Sequence, residues 1–360
     1  MSKFEIELQR HRVVAGFPIN EVLGAELRAA AIGRYLLITS DELSVKFDSI
    51  AGADALRLKA GRFKDVVAHV PESTVAKALS AVQECMADGI VAFGGGSALD
   101  TAKAVSDRSG KPIIAIPTNF SGSEVTWNYG LTVDGVKRTM RNRSVLPVSV
   151  LYDPSLIVTL PARVAVCSGI NAVAHAVEAI YAPHANPLTH ALAETGIRKT
   201  IDGLRGFVAS GGSSIDAAES CFAGSWLCGE VLSQVGMGLH HRICHVLGGT
   251  YGLPHAEVHT VMLPYTVEWN VKFAPALLAF DSIFPGTSFA KGIADFSISH
   301  GAPASLGELG LAEGQIAEVA ALALSSPVDN PRPTTQAELE ALIGRAYAGE
   351  QVSRSARLQI

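Results

Sequence analysis

Alternation of two periodicities constrains this chain more than any other feature. The short apolar runs Arg34–Thr39, Asp65–His69, Gly89–Phe93 and Ile113–Pro117 are separated by stretches of helical spacing. In Ser73–Asp88, for example, Val75, Ala78, Leu79, Val82 and Met86 repeat at helical intervals, and Ala98–Arg108 reads the same way. Apolar runs of this length predict parallel strands buried on both faces, with the helices between them as cover. Asp134-Gly135, between two extended runs near Gly130–Thr139, predicts a two-residue β-hairpin. Past Thr159 the strand-like runs stop. Pro161–Tyr181, Pro187–Val208, Ser214–Leu247 and Ser305–Leu324 carry helical patterns, and Ala209–Ser214 is a flexible joint. The expected architecture is therefore an α/β part with a parallel sheet over residues 1–160 and an all-α part over residues 161–360.

Composition removes several classes. A chain of 360 residues suits two domains. With 48% hydrophobic and 18% charged residues it is too apolar for disorder. Its mean hydropathy of +0.27 raises the question of a membrane. The longest unbroken apolar runs, such as 89–93, fall far short of the roughly 20 residues a spanning helix needs, so none is expected. The net charge is −5 and no Lys/Arg block exceeds two residues, which argues against a nucleic-acid partner. Met1–Glu5 lacks a basic segment leading into an apolar one, and the five cysteines form no CxxC pair. Both traits predict reduced thiols in a cytoplasmic protein.

Gly94-Gly95-Gly96-Ser97 lies between the third strand and a helix predicted to open at Ser97 or Ala98. Glycines let a backbone approach a ligand closely, and a helix start presents free N–H groups, so this turn is a phosphate-site candidate. It is not GxGxxG, and a tight structural turn explains the glycines equally well. Pro117–Thr126 (PTNFSGSEVT) follows the fourth strand, at the sheet end where α/β folds bind ligands. By itself it also reads as an ordinary polar loop.

Eight of the eleven histidines fall between residues 175 and 259. Asn171 and His175 are four apart on one predicted helix, as are His241 and His245 on another, so each pair shares a face. His255 is expected in a loop after Gly248-Gly249 has broken the second helix. Each histidine alone is an ordinary core or surface residue. Together they suggest one pocket, since imidazole both ligates metals and exchanges protons near neutral pH. His240 and His259 have weaker claims.

Gly94–Ala104, Pro117–Thr126, Ser168–Tyr181, Gly238–His255, Gly301–Leu306 and Asn330–Pro333 together resemble the iron-containing (group III) alcohol dehydrogenase superfamily. Within it the chain is most similar to the maleylacetate reductases, through Leu239–His245, the short PTNFSGSE loop and Asn171. The resemblance implies an NAD(P)-binding Rossmann-like domain, a helical domain of the dehydroquinate synthase-like type, and an active site in the cleft between them. It places the cofactor pyrophosphate on Gly94, Gly95, Gly96 and Ser97. Nicotinamide and ribose contacts fall on Thr118, Asn119, Ser121 and Ser123. It also implies a cytoplasmic homodimer.

In the superfamily's alcohol dehydrogenases an Asp and three His hold a divalent metal. Asn171, His175, His241 and His255 stand at those places here. A neutral amide offsets none of the metal's charge, so no tightly bound metal is expected. Ser40 stands where many NAD-preferring members have an Asp, which implies that both NADH and NADPH serve. The implied reaction reduces the C=C bond of 2-maleylacetate to 3-oxoadipate. His245 would be the general acid, His175, His241 and His255 would donate to the developing enolate, and Asn171 would orient a histidine or the substrate. The small dicarboxylate calls for a cationic cleft, with Arg242, Lys137, Arg138, Arg141 and Arg143 as unresolved candidates. Rival readings are a metal-dependent alcohol dehydrogenase and, further off, a dehydroquinate synthase-like lyase.

Overall fold

A computed structural model of the chain describes residues 11–134 and 136–353, without the side chains of Val136 and Lys137. The first half runs β1 (Arg12–Ala15), α1 (Ile19–Ala29), β2 (Tyr35–Ile38), α2 (Asp41–Ile50), α3 (Ala53–Leu58), β3 (Lys59–Phe63), α4 (Glu72–Glu84), β4 (Gly89–Gly94), α5 (Gly96–Ser109) and β5 (Ile113–Pro117). The hairpin β6 (Asn128–Val133) and β7 (Val136–Arg141) follows, then β8 (Ser149–Tyr152). Among the described residues eight α-helices follow: α6 (Ala162–Tyr181), α7 (Pro187–Ala209), α8 (Ile215–Val235), α9 (Leu239–Thr250), α10 (His255–Asn270), α11 (Phe289–Ser299), α12 (Ile316–Ala323) and α13 (Gln336–Ala348).

Six strands form one parallel sheet in the order β1-β8-β5-β4-β2-β3. The period of two along the strands divides the core. Tyr35, Leu37, Val91, Phe93, Ile114 and Ile116 face α1 and α2, while Leu36, Ile38, Ile90, Ala92 and Ala115 face the other way. The second cluster runs on without interruption into the helical half. At the carboxyl end of the sheet Gly94 of β4 lies in register with Pro117 of β5, so the glycine turn and the PTNFSGSE loop leave the sheet side by side. In the hairpin Val133 pairs with Val136, as Asp134-Gly135 predicted.

Several expectations are corrected. The strand expected at Asp65–His69 is instead β3, Lys59–Phe63. β3 is an edge strand, where polar residues are tolerated, and its sequence KAGRF hides the strand from an apolar-run reading. The single helix expected over Ser214–Leu247 is two, because Gly236, at φ +83°, ends α8 and the chain restarts at Leu239. Gly248-Gly249 do not break α9, which runs to Thr250. Within Ser305–Leu324 the α-helix is α12 alone. α6, 20 residues long, is apolar enough by composition to cross a membrane, although it holds no unbroken apolar run of that length. It is instead a core helix, with 89% of its most apolar window buried inside the protein against α7, α8 and α10.

Candidate active site

A cavity of about 350 Å³ opens between the carboxyl end of the sheet and the helical half. One wall holds Gly96, Ser97, Asn119, Ser121 and Ser123, and the facing wall holds Asn171, His175, His241, His245 and His255. Ten of the fourteen residues singled out from sequence therefore line one space. Gly94, Gly95, Thr118 and Ser40 do not line it.

Gly94 and Gly95 build the turn beneath. Gly94 sits at φ +153°, and a Cβ there would lie 2.8 Å from the Cβ of Ala98. A Cβ on Gly95 would lie 2.7 Å from Asn119 Nδ2. The helix begins at Gly96, one residue earlier than expected, with Gly95 as its cap. Its first residues, Gly96 and Ser97, line the cavity, where a helix start leaves N–H groups unpaired. Thr118 N donates to Gly94 O at 3.1 Å and ties the two loops together. Ser40 is at the end of β2, where its Oγ accepts from Leu43 N at 3.3 Å and caps α2.

The loop after β5 is held from below by a buried cation. Lys103 on α5, fully buried, donates to Ser123 O at 2.6 Å, Asn128 O at 2.9 Å and Thr126 Oγ1 at 3.2 Å. All three acceptors are neutral, and burial lowers the ammonium pKa to about 8.

On the facing wall Asn171 and His175 project from α6, His241 and His245 from α9, and His255 from the first turn of α10, not from a loop. The His175 and His241 rings stack at 5.1 Å, and those of His245 and His255 at 6.2 Å. His245 Nδ1 lies 3.3 Å from Thr139 Oγ1 on the hairpin. Burial, with His241 next, drives the His175 pKa well below its ordinary value.

Three residues join this cluster that the sequence reading missed or discounted. Glu178 is almost wholly buried and is the carboxylate partner of His241, Oε2 to Nδ1, at 2.6 Å. It also accepts the backbone N–H groups of Gly238 at 2.8 Å and His240 at 2.7 Å, where α9 starts. That bond turns the other nitrogen, Nε2, of the cavity-lining His241 away from Glu178. Its signal was legible, because Glu178 is three residues past His175 and seven past Asn171 on one helical face. His240 and His259 lie behind the wall, fully buried. His240 Nε2 is 2.9 Å from His259 Nδ1, and its Nδ1 is 3.0 Å from Thr266 Oγ1. Burial pushes the pKa of both well down, so they share protons as neutral rings.

The expected arginines do not reach the cavity. Arg242 turns to Ala323 O and to the hydroxyls of Ser325 and Ser326, as a residue one step round the helix from His241 should. Arg141 donates to Ser233 O. Arg138 and Arg143 are exposed, and the side chain of Lys137 lies outside the described residues. Among the described residues no Lys or Arg lines the cavity.

The sequence pattern of iron-containing alcohol dehydrogenases matches residues 11–154, and that of the C-terminal part of the Fe-containing alcohol dehydrogenase family matches residues 165–347. A maleylacetate reductase of Burkholderia cepacia is 39% identical over 354 residues, covering 98% of this chain and 100% of the relative. One from Delftia acidovorans is 39% identical over 343 residues, covering 94% and 96%. The crystal structure of a maleylacetate reductase from Agrobacterium tumefaciens superposes with a TM-score of 0.90 at 36% identity, covering 99% of this chain and all of that one.

Proposed function

The chain belongs to the iron-containing alcohol dehydrogenase family, and within it we infer an oxidoreductase that reduces the C=C bond of 2-maleylacetate with NAD(P)H, giving 3-oxoadipate. The observation that carries this reading is the cavity itself. A glycine turn with a helix start faces five imidazole and amide side chains across one space.

The nucleotide fits the first wall. A Cβ on Gly96 would meet nothing within 4 Å, so this wall is open there, while Gly94 and Gly95 let the turn pack closely against Ala98 and Asn119. In this reading Gly94, Gly95, Gly96 and Ser97 take the pyrophosphate, and Thr118, Asn119, Ser121 and Ser123 take the ribose and nicotinamide. Ser40 lacks the negative charge that would repel a 2′-phosphate, so NADH and NADPH both serve. The division at residue 160, a cytoplasmic setting and a homodimer belong to the same reading.

A divalent metal, as the family name implies, does not suit the second wall. Asn171 brings an uncharged amide to it, with its Oδ1 buried and without a hydrogen-bond partner. Among the described residues, the trio whose ligand atoms lie within 4.8 Å of one another is His240, Cys244 and His259, and two of these already share a hydrogen bond. The donors of His175, His241 and His255 are spread more widely. We propose that they act directly on substrate oxygen, with no tightly held metal.

Reduced nicotinamide held on the first wall would supply a hydride for the alkene carbon remote from the ketone. Charge then develops on the ketone oxygen as an enolate. His175, held neutral by burial, and His255 meet that oxygen with N–H donors, and His241, whose Nδ1–H is taken by Glu178, adds a donor at Nε2 in its imidazolium form. His245 protonates the enolate at the other alkene carbon, leaving the saturated product. Asn171 orients the substrate or its histidine neighbours.

The test is NADH consumption on addition of maleylacetate, repeated with NADPH. His245→Ala should lower kcat by about a hundredfold or more, the usual worth of a positioned acid, while the NADH Kd changes little. An unchanged kcat would remove His245 from the acid role. No oxidation of either cofactor by the unaltered enzyme would overturn the reaction itself.

A further inference from the structure

A dianion poses a problem for this cavity. A six-carbon chain carries one carboxylate at each end, and a single cluster of side chains cannot meet both. The imidazoles of α6, α9 and α10 occupy one wall, and among the described residues no Lys or Arg lines the rest. The opposite side, beside the nucleotide turn, presents Ala68, His69 and Val70 from the segment joining β3 to α4. His69 is a cavity-lining residue outside the histidine cluster.

The backbone that aims it is unusual. His69 at φ +63° and Val70 at φ +47° are consecutive non-glycine residues in the left-handed region. A β-branched residue adopts that conformation only when its surroundings impose it. Here the hairpin imposes it. Thr132 Oγ1 donates to His69 O at 2.7 Å, Thr132 N donates to Val70 O at 3.0 Å, and Pro71 bridges to Thr132. Val70 is anchored in the core.

The same hairpin holds His245 through Thr139. Gly130 pairs with Thr139 and Thr132 with Lys137, so Thr132 and Thr139 are diagonal neighbours on one face. Such neighbours are about 7–8 Å apart. The hairpin thus holds the His69 backbone and the His245 ring at two separate points of one face.

We propose that His69 binds the substrate carboxylate that lies away from His245, and so makes the enzyme selective for dicarboxylates. This rests on the maleylacetate reductase reading. Imidazole N–H is the recognising group, and the strained pair His69-Val70 presets its direction.

The test uses the full chain with His69→Asn, which tolerates a left-handed backbone, and with His69→Ala. Three substrates are compared: maleylacetate, and the two enones that each keep one of its carboxylates, 4-oxohex-2-enoate and 3-oxohex-4-enoate. Both variants should raise KM for maleylacetate at least tenfold, with kcat and the KM for NADH within about twofold of the parent. They should show the same loss with one single-carboxylate enone and none with the other, which lacks the group His69 binds. An unchanged KM for maleylacetate, or an equal loss on all three substrates, would overturn the assignment. A parent enzyme that does not reduce maleylacetate would refute the underlying reaction instead.

Discussion

Asn171, 4% exposed, carries a buried amide oxygen without a hydrogen-bond partner, at the position where relatives that hold a metal would place a carboxylate. In the proposed reading this one neutral atom weakens the site for a divalent cation. Asn171→Asp restores the charge at nearly constant volume. It should tighten Zn²⁺ or Fe²⁺ binding at least tenfold, or about 1.4 kcal/mol, by titration calorimetry. Equal affinities in the two proteins would mean that the three imidazoles cannot close around a cation. This position was legible because an i, i+4 pair on a helix needs no tertiary information. Glu178 was legible by the same rule and was overlooked, since nothing in its own neighbourhood marks a buried Glu. His69 was not legible at all. Its segment reads as a strand, and only the hydrogen bonds of Thr132 turn it into a left-handed corner.

Among the elements, the turn from β4 into α5 shows why glycine is required at a particular place. The Gly95 Cβ position lies 2.7 Å from Asn119 Nδ2, a contact that real Cβ atoms do not make. Gly95→Ala should displace Asn119 and raise the KM for NADH several-fold. Overpacking of this kind typically costs about 1–3 kcal/mol, and urea unfolding would read that loss separately. An alanine variant with normal NADH KM would place the nucleotide elsewhere. β4, β5 and α5 were readable because each is a complete local signal: an unbroken apolar run, or a helix bounded by Gly95 and Gly110. The edge strands β1 and β3 were not, because half their surroundings are solvent and their sequences mix polar with apolar residues. The break between α8 and α9 turned on Gly236, one glycine among 34 in the chain.

Across the whole molecule, Lys103 joins the sheet half to the loop that lines the cavity, and it does so at the cost of a buried charge. Its pKa falls from an ordinary 10.5 to about 8 through burial. Between those values the unfolded chain binds more protons than the folded one, so folding gains stability as pH rises. Below about 8 the residue is charged in both states and that gain is absent. Relative to Lys103→Met, the unaltered protein should therefore become more stable from pH 8 to 10, by up to about 1.4 kcal/mol per pH unit. Urea midpoints measured for both proteins across that range would show it, and parallel curves would refute it. The sequence by itself determined the alternating parallel-sheet half, the helical half, the family, and ten of the residues that line the cleft. These follow from periodicity and short motifs, which act over a turn of helix or a few residues of strand. Tertiary structure alone decided which groups meet. It brought Glu178 to His241 across 63 positions of chain and His245 to Thr139 across 106. It turned Arg242 away and set His69 in the cavity wall. The direction of a side chain is set by the neighbours it packs against, and those neighbours are distant in sequence.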